Sequence, residues 1–428
     1  MNQDYSAYSI KENCVMLGTD DYVQVASGPD EIHDYSSDGE FFNEFFYKLN
    51  CALGWPTKII FFHDIPSLIK NDNALTILLE TISDKPYVEG QRPAIEPNTD
   101  CVIVFGGAAE GIPIEAVQLV KEFAKLHDTI PCYYLSGAEP SPITIEYFNE
   151  LKGDRNNLKL LTQNTFENDN YDDAYLDYKR DPNIVKSKKF HFFVGKPRYH
   201  RYFLLALLAE RKVLDQGILS YGWGGQTTTA QGVLNSLIQN APEEYIGCFP
   251  HLFKVAKQQL PYISPMACPY PYAKPNYLAS ISRIMDPRDV AIYDNTWFHV
   301  STETSNLTST SLSRSAEVPS TKPLFYTEKT YRPFVLKQIG VTCGQQGHLA
   351  GLRNKGYKPF AQWHNANQTD MIYNDEERLI AQADAICNMC NWPDTVLQQK
   401  TDEYAEYQAE HNRNKIINSA INIMAHPH

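Results

Sequence analysis

Three short clusters in this chain carry side chains suited to holding a charged, polyhydroxylated ligand. The first is Thr327-Glu328-Lys329, with Tyr331 and Arg332 close behind. A carboxylate beside an ammonium at the mouth of a helix suits a ribose diphosphate. Glu328 would accept from two ribose hydroxyls while Lys329 neutralises phosphate. Helical spacing puts Lys329 and Arg332 on one face. The second cluster is Gly195-Lys196-Pro197-Arg198-Tyr199-His200-Arg201, where a strand turns into a helix. Lys196, Arg198 and Arg201 stand where helix N-terminal amides also point, and the planar fork of Arg198 suits bidentate contact with a departing diphosphate. The plainer alternative is a set of solvated helix-start cations. The third cluster is Ser301-Thr302-Glu303-Thr304-Ser305-Asn306. Glu303 follows a buried strand, at the rim where open α/β sheets bind ligands, and is expected to hold a sugar hydroxyl or the ribose. An exposed loop glutamate is the alternative.

The elements that must position these residues alternate between strand and helix. Apolar runs at 57–62 and 101–105 are expected to be buried parallel strands. The second ends in Gly106-Gly107-Ala108-Ala109-Glu110-Gly111, after which Pro113 opens an amphipathic helix and 131–135 returns as a strand. The acidic stretch 167–178 is read as an exposed connection. A second α/β region comes next, with strands at 190–195, 217–223 and 297–302 and a helix at 199–211. The Pro- and Tyr-rich segment 249–277 is read as a surface insertion, and the Ser/Thr-rich stretch up to 321 as a loop. A final helix succeeds Asn391-Trp392-Pro393-Asp394, with Asp394 expected as its N-cap.

Hydrophobic residues make up 43% of 428, enough for two domains with cores of their own. No apolar run approaches the roughly 20 residues of a bilayer span, and the polar start lacks the pattern of a signal peptide, so a cytoplasmic protein is expected. The formal net charge of −13 argues against a surface that grips nucleic acid everywhere, while leaving room for a local basic cleft along 186–212. Nine cysteines without framework spacing fit a reducing compartment. Cys387-Asn388-Met389-Cys390 is a lone CxxC and reads as a helix carrying two buried thiols. The GGAAEG turn lacks dinucleotide-fingerprint spacing, and no DxD-type motif sits at a convincing strand end, so no metal or resident cofactor is expected.

The ordered set of an arginine before a helix, an ETSN segment, then TEK and a strand with a glycine turn resembles the donor domain of α1,3-fucosyltransferase-type enzymes. It is also similar to phage and marine-bacterial glycosyltransferase-like proteins, whose pattern runs TEKT-x-[KR]-P, then L-x-x-L-[RK]-x-x-G-[FY]-K-x-F. Here TEKTYRP and LAGLRNKGYKPF stand in those places. The resemblance spans about half the chain, 190–378, and its TEK block is the most specific part. It implies that Arg198 and Lys329 hold a donor diphosphate and Glu328 the ribose. Two departures bear on the donor sugar: ETS replaces ENS, and 364–370 (HNANQTD) replaces an acidic DESYD-like segment.

The expected architecture is an α/β protein of two facing Rossmann-like domains, the GT-B arrangement. Residues 1–180 would bind the acceptor, 181–393 the nucleotide-diphosphate sugar (UDP- or GDP-linked), and 394–428 would form a helix packing back on the first domain. The activity implied is metal-independent, inverting glycosyl transfer to an acceptor hydroxyl of a glycan or of a hydroxymethylated cytosine in DNA, reached by base flipping. A general base is then needed within hydrogen-bond reach of that hydroxyl. His63 and Asp64, after the first apolar run, and Glu110, in the glycine-rich turn, are the candidates. For His63-Asp64 the alternative is a helix cap. A non-catalytic nucleotide-sugar or glycan-binding protein of the same fold is the rival reading.

Overall fold

A computed structural model describes residues 14–17, 48–49, 51–54, 56, 58–62, 73–83, 101–107, 111–163, 184–194, 198–221, 238–241, 243–263, 293–303, 323–361, 366–417 and 423–426. The chain is mixed α/β with two mainly parallel sheets. It divides into two compact units: Met1–Thr165 with Thr321–Phe325 and Ala420–His428, and Phe166–Ser320 with Tyr326–Ser419.

In the first unit, strands β1 (Cys14–Leu17), β2 (Lys58–Phe62), β3 (Cys101–Gly107), β4 (Cys132–Ser136) and β5 (Leu158–Thr162) pair in parallel in that order. The strand Met424–His426 adds antiparallel to β5. Helices α1 (Ala74–Ser83), α2 (Ile114–Leu126) and α3 (Pro142–Lys152) join β2 through β5. Strands that advance in one direction with right-handed crossovers place the helices between them on one face, and α1, α2 and α3 share one face of this sheet. Ile60, Phe62, Ile103, Phe105 and Leu160 pack with Leu78, Val117, Phe123 and Phe148 from the three helices. The other face of the same strands, through Ile59, Phe61, Val102, Val104 and Leu161, packs against Leu49, Leu53 and Ile423. Covering on both faces is why these strands are apolar throughout rather than alternating. Pro142 opens α3 behind an N-cap serine, Ser141, whose hydroxyl accepts from Thr144 N–H at 3.1 Å.

In the second unit the strands are β6 (Lys188–Val194), β7 (Gly217–Tyr221), β8 (Thr296–Thr302) and β9 (Ile339–Cys343), all parallel, in the order β7-β6-β8-β9. Helix α4 (Tyr199–Glu210) connects β6 to β7. It is buried almost all round, from His200 to Leu208, as its continuous apolar sequence requires. The segment read as a surface insertion begins instead with a helix, α5 (Pro250–Ile263), which buries Leu252, Phe253, Val255 and Ala256. Phe253 meets Phe203 of α4 edge-on, with ring centroids 5.0 Å apart, and Tyr199 at 5.7 Å. Proline density misled there because Pro250 stands at the helix's first position, where its missing N–H costs nothing.

Helix α6 (Glu328–Val335) leads into β9. Beyond β9 come α7 (His348–Asn354) and α8 (Asp375–Cys390). The chain then runs through α9 (Asp394–Tyr404), a π-helical turn (Ala405–Ala409) and α10 (Glu410–Ile417). The helix expected to cross back from Asp394 belongs to the second unit: Lys189 of β6 pairs with Asp394, and Lys337 with Glu410. Among the described residues after Asp394, only the last strand, Met424–His426, lies in the first sheet. Asp394 is the first helical residue rather than the N-cap, a position that Pro393 occupies. The CxxC does lie on a helix, α8, with Cys390 buried and Cys387 partly so. Burial pushes the Cys390 thiol up to about 12, which makes it inert. Among the described residues no helix is long and apolar enough to cross a membrane.

Helix α6 rests directly on β9. A Cβ at Gly340 would stand 2.9 Å from Cβ of Pro333. Gly340→Ala is therefore expected to destabilise by about 1–3 kcal/mol in urea unfolding. Gly247→Ala, in the helix Glu243–Cys248 with open space around it, should be neutral or slightly stabilising.

Candidate functional site

The order β7-β6-β8-β9 reverses at β6. The chain leaves β6 to one side for β7, then returns to the other side for β8. Such a reversal opens a crevice at the carboxyl ends of the two strands, the usual ligand position in open α/β sheets. The described parts of the second and third sequence clusters, 198–201 and 301–303, lie at its two lips. Arg198 precedes α4 in extended backbone just after β6, and Glu303 directly follows β8.

Glu303 has no exposed surface. Its N–H donates to Cys343 O at 3.0 Å, continuing the ladder to β9. Its carbonyl accepts from His200 Nε2 of α4 at 2.9 Å, which fixes that imidazole as the Nε2–H tautomer. Oε1 accepts from Thr327 N–H at 3.0 Å and from Thr330 Oγ1, and Oε2 accepts from Thr327 Oγ1 at 2.6 Å. A buried carboxylate is tolerated only with such donors around it. The expectation that Glu303 holds ribose or a sugar hydroxyl is thus not how the side chain is used in this structure. Its carboxylate is turned inward onto the start of α6.

That start is built accordingly. Thr327 is the N-cap of α6, its hydroxyl accepting from Lys329 N–H at 3.3 Å while donating to Glu303. Lys329 Nζ also reaches Thr327 Oγ1, at 3.2 Å. Thr330 accepts from His348 Nε2 at 3.2 Å, and Tyr326 O–H donates to the carbonyl of His348 at 3.1 Å. His348 stacks so closely on the turn after β9 that a Cβ at Gly344 would lie 2.5 Å from its ring, so only glycine fits there. The N-terminus of α7 is already occupied: Asp370 accepts from Leu349 N–H at 2.9 Å and Ala350 N–H at 3.0 Å. Asp370 ends the segment that departs from the resembled pattern, and its carboxylate serves this cap.

The electrostatics locate the cations. His200 is held well below the usual imidazole range, by burial first and then by the charges of Arg201, Arg198 and Lys329. His299, on β8, is lowered to about 3 by burial and by Arg332 and Lys329. Lys329 acts on both rings and Arg332 on that of His299. His348 is lowered by burial, with Glu303 and Asp370 opposing. His200 thus feels three sequence-selected cations, Arg198 and Arg201 at the start of α4 and Lys329 in the first turn of α6. Arg201 is buried, 4% exposed, which sets aside a solvated helix-start cation.

The remaining selected residues are placed less fully. His63, Asp64, Glu110 and Lys196 lie outside the described residues, and Glu328 is described through its backbone as the first residue of α6. His200, Thr330 and His348 were not singled out in the sequence. Thr330 carried a signal, standing three residues after an N-cap threonine on the same helix face. The two histidines carried none, because their partners are distant in sequence. No group of three or more His, Cys, Asp or Glu placed to hold a metal occurs among the described residues. Compared with protein-family models, with curated proteins and with solved structures, the chain matches none.

Buried histidines held neutral make stability depend on pH. Below the ordinary value of 6.5 the unfolded chain takes up protons at His200 and His299 that the folded chain refuses. Unfolding is then favoured as pH falls, by about 1.4 kcal/mol per pH unit for each such group. Urea titrations at pH 5.0 and 7.5 should show the loss at pH 5.0, and His299→Gln should reduce it.

Proposed function

We propose that the second unit binds a nucleotide-diphosphate sugar at the β6/β8 crevice and that the chain is a glycosyltransferase. The observation that carries this reading is that the start of α4, with Arg198 and Arg201, and the start of α6, with Lys329, are both tied to Glu303 at the switch point of the second sheet, through His200 and through Thr327. Side-chain cations and the start of a 12-residue helix together make a site for a diphosphate, whose charge grows as the glycosidic bond breaks. Glu328, at the first position of α6, is the residue for the ribose hydroxyls.

Transfer is a direct displacement in this reading. The acceptor oxygen bonds to the anomeric carbon as the carbon–phosphate-oxygen bond breaks. A base drawn from His63, Asp64 or Glu110 takes the acceptor proton, and the nucleoside diphosphate leaves with inversion. The two α/β units correspond to the halves of a GT-B enzyme, the first presenting the acceptor. The acceptor hydroxyl belongs to a glycan or to a hydroxymethylated cytosine in DNA.

Calorimetry with UDP, GDP, UDP-sugars and GDP-fucose tests the donor half. One nucleotide should bind the wild type, with affinity reduced about 10- to 100-fold in Lys329→Ala and in Arg198→Ala, the loss of a charge-assisted hydrogen bond. Absence of binding to all of them would defeat the reading and favour a fold that has no donor site.

A further inference from the structure

We infer that Glu303 is a positioning residue, one that holds the cation-bearing starts of α4 and α6 in a single arrangement around the anion site without touching the ligand. This rests on the donor-site reading of the β6/β8 crevice. Three elements close on this one residue. The carbonyl takes His200, two residues beyond Arg198 and next to Arg201; the carboxylate takes Thr327 and Thr330, which flank Lys329; the N–H is fixed to β9. Every backbone and carboxylate polar atom of Glu303 is thereby engaged, and none is exposed. Fully buried and turned onto these partners, the carboxylate is not presented to a ligand. It determines instead where Arg198, Arg201 and Lys329 stand.

The alternative role, a counter-charge that moderates a cationic site, makes the opposite prediction for the same substitution. Glu303→Gln removes one negative charge from a residue whose partner Thr327 also bonds Lys329. If charge alone matters, anions bind the variant more tightly. If position matters, they bind it more weakly, because glutamine offers one acceptor oxygen where Thr327 N–H, Thr327 Oγ1 and Thr330 Oγ1 need two, and the start of α6 loses its anchor.

The experiment measures inorganic pyrophosphate affinity by calorimetry for wild type, Glu303→Gln and Thr330→Val, with amide hydrogen exchange on the same proteins. Glu303→Gln should bind pyrophosphate about tenfold more weakly and Thr330→Val about threefold, the scale of one or two lost hydrogen bonds. Exchange should rise at the starts of both α4 and α6 in Glu303→Gln, and at α6 alone in Thr330→Val. Thr330→Val carries the test if Glu303→Gln does not fold. Equal or tighter pyrophosphate binding by Glu303→Gln, with wild type binding, overturns the positioning role and leaves the donor site standing. Failure of wild type to bind either pyrophosphate or a nucleoside diphosphate overturns the donor site, and the positioning role with it.

Discussion

Taking a carboxylate out of water costs several kcal/mol unless donors replace the lost hydration, and Glu303 has no water to fall back on. Its donors come from two threonines that begin α6. That requirement fixes the start of the helix against the end of β8, and the lysine between the threonines is carried with it. The backbone of the same residue closes the crevice through His200 and extends the pairing with β9. Removing the carboxylate would leave the threonine donors, the capping geometry of α6 and the contact to His348 without their common acceptor.

Buried imidazoles line this part of the second unit, His200 bonded to the carbonyl of Glu303 and His299 on β8. Neutrality is imposed on them: burial and adjacent guanidinium and ammonium groups keep His200 and His299 unprotonated well below the ordinary imidazole range. A neutral His200 serves the site in two ways. It donates a directional hydrogen bond, and it adds no further positive charge among cations that would otherwise repel it.

The two units have the same layered chemistry and different topology. Strands in the first advance in one direction, which gathers α1, α2 and α3 on one face and leaves no reversal among the described strands. The second sheet reverses at β6, and only there does the order of strands create a crevice. Hydrophobic content alone would not separate the two, since both sheets are built from runs of Val, Ile, Leu and Phe.

Much of this was legible from the chain. Continuous apolar runs gave β2, β3, β6 and β8 to within a residue or two, because strands covered on both faces have no polar side to hide them. The TEK block announced a helix start, and that is where α6 begins. Helix α5, opening on Pro250, was not legible, since proline opens helices as readily as it interrupts them, and neither was the belonging of α9 and α10 to the second unit, where Lys189 pairs with Asp394 and Lys337 with Glu410. Sequence by itself determined the residue types at strand ends and helix starts, because periodicity, capping and charge are local. Tertiary structure alone decided which of them meet. The order β7-β6-β8-β9 brings residues 198–201, 303 and 327–330 to one crevice, and burial then turns Glu303 from a candidate ligand contact into an internal anchor, since a carboxylate's role is set by what surrounds it and not by its place in the chain.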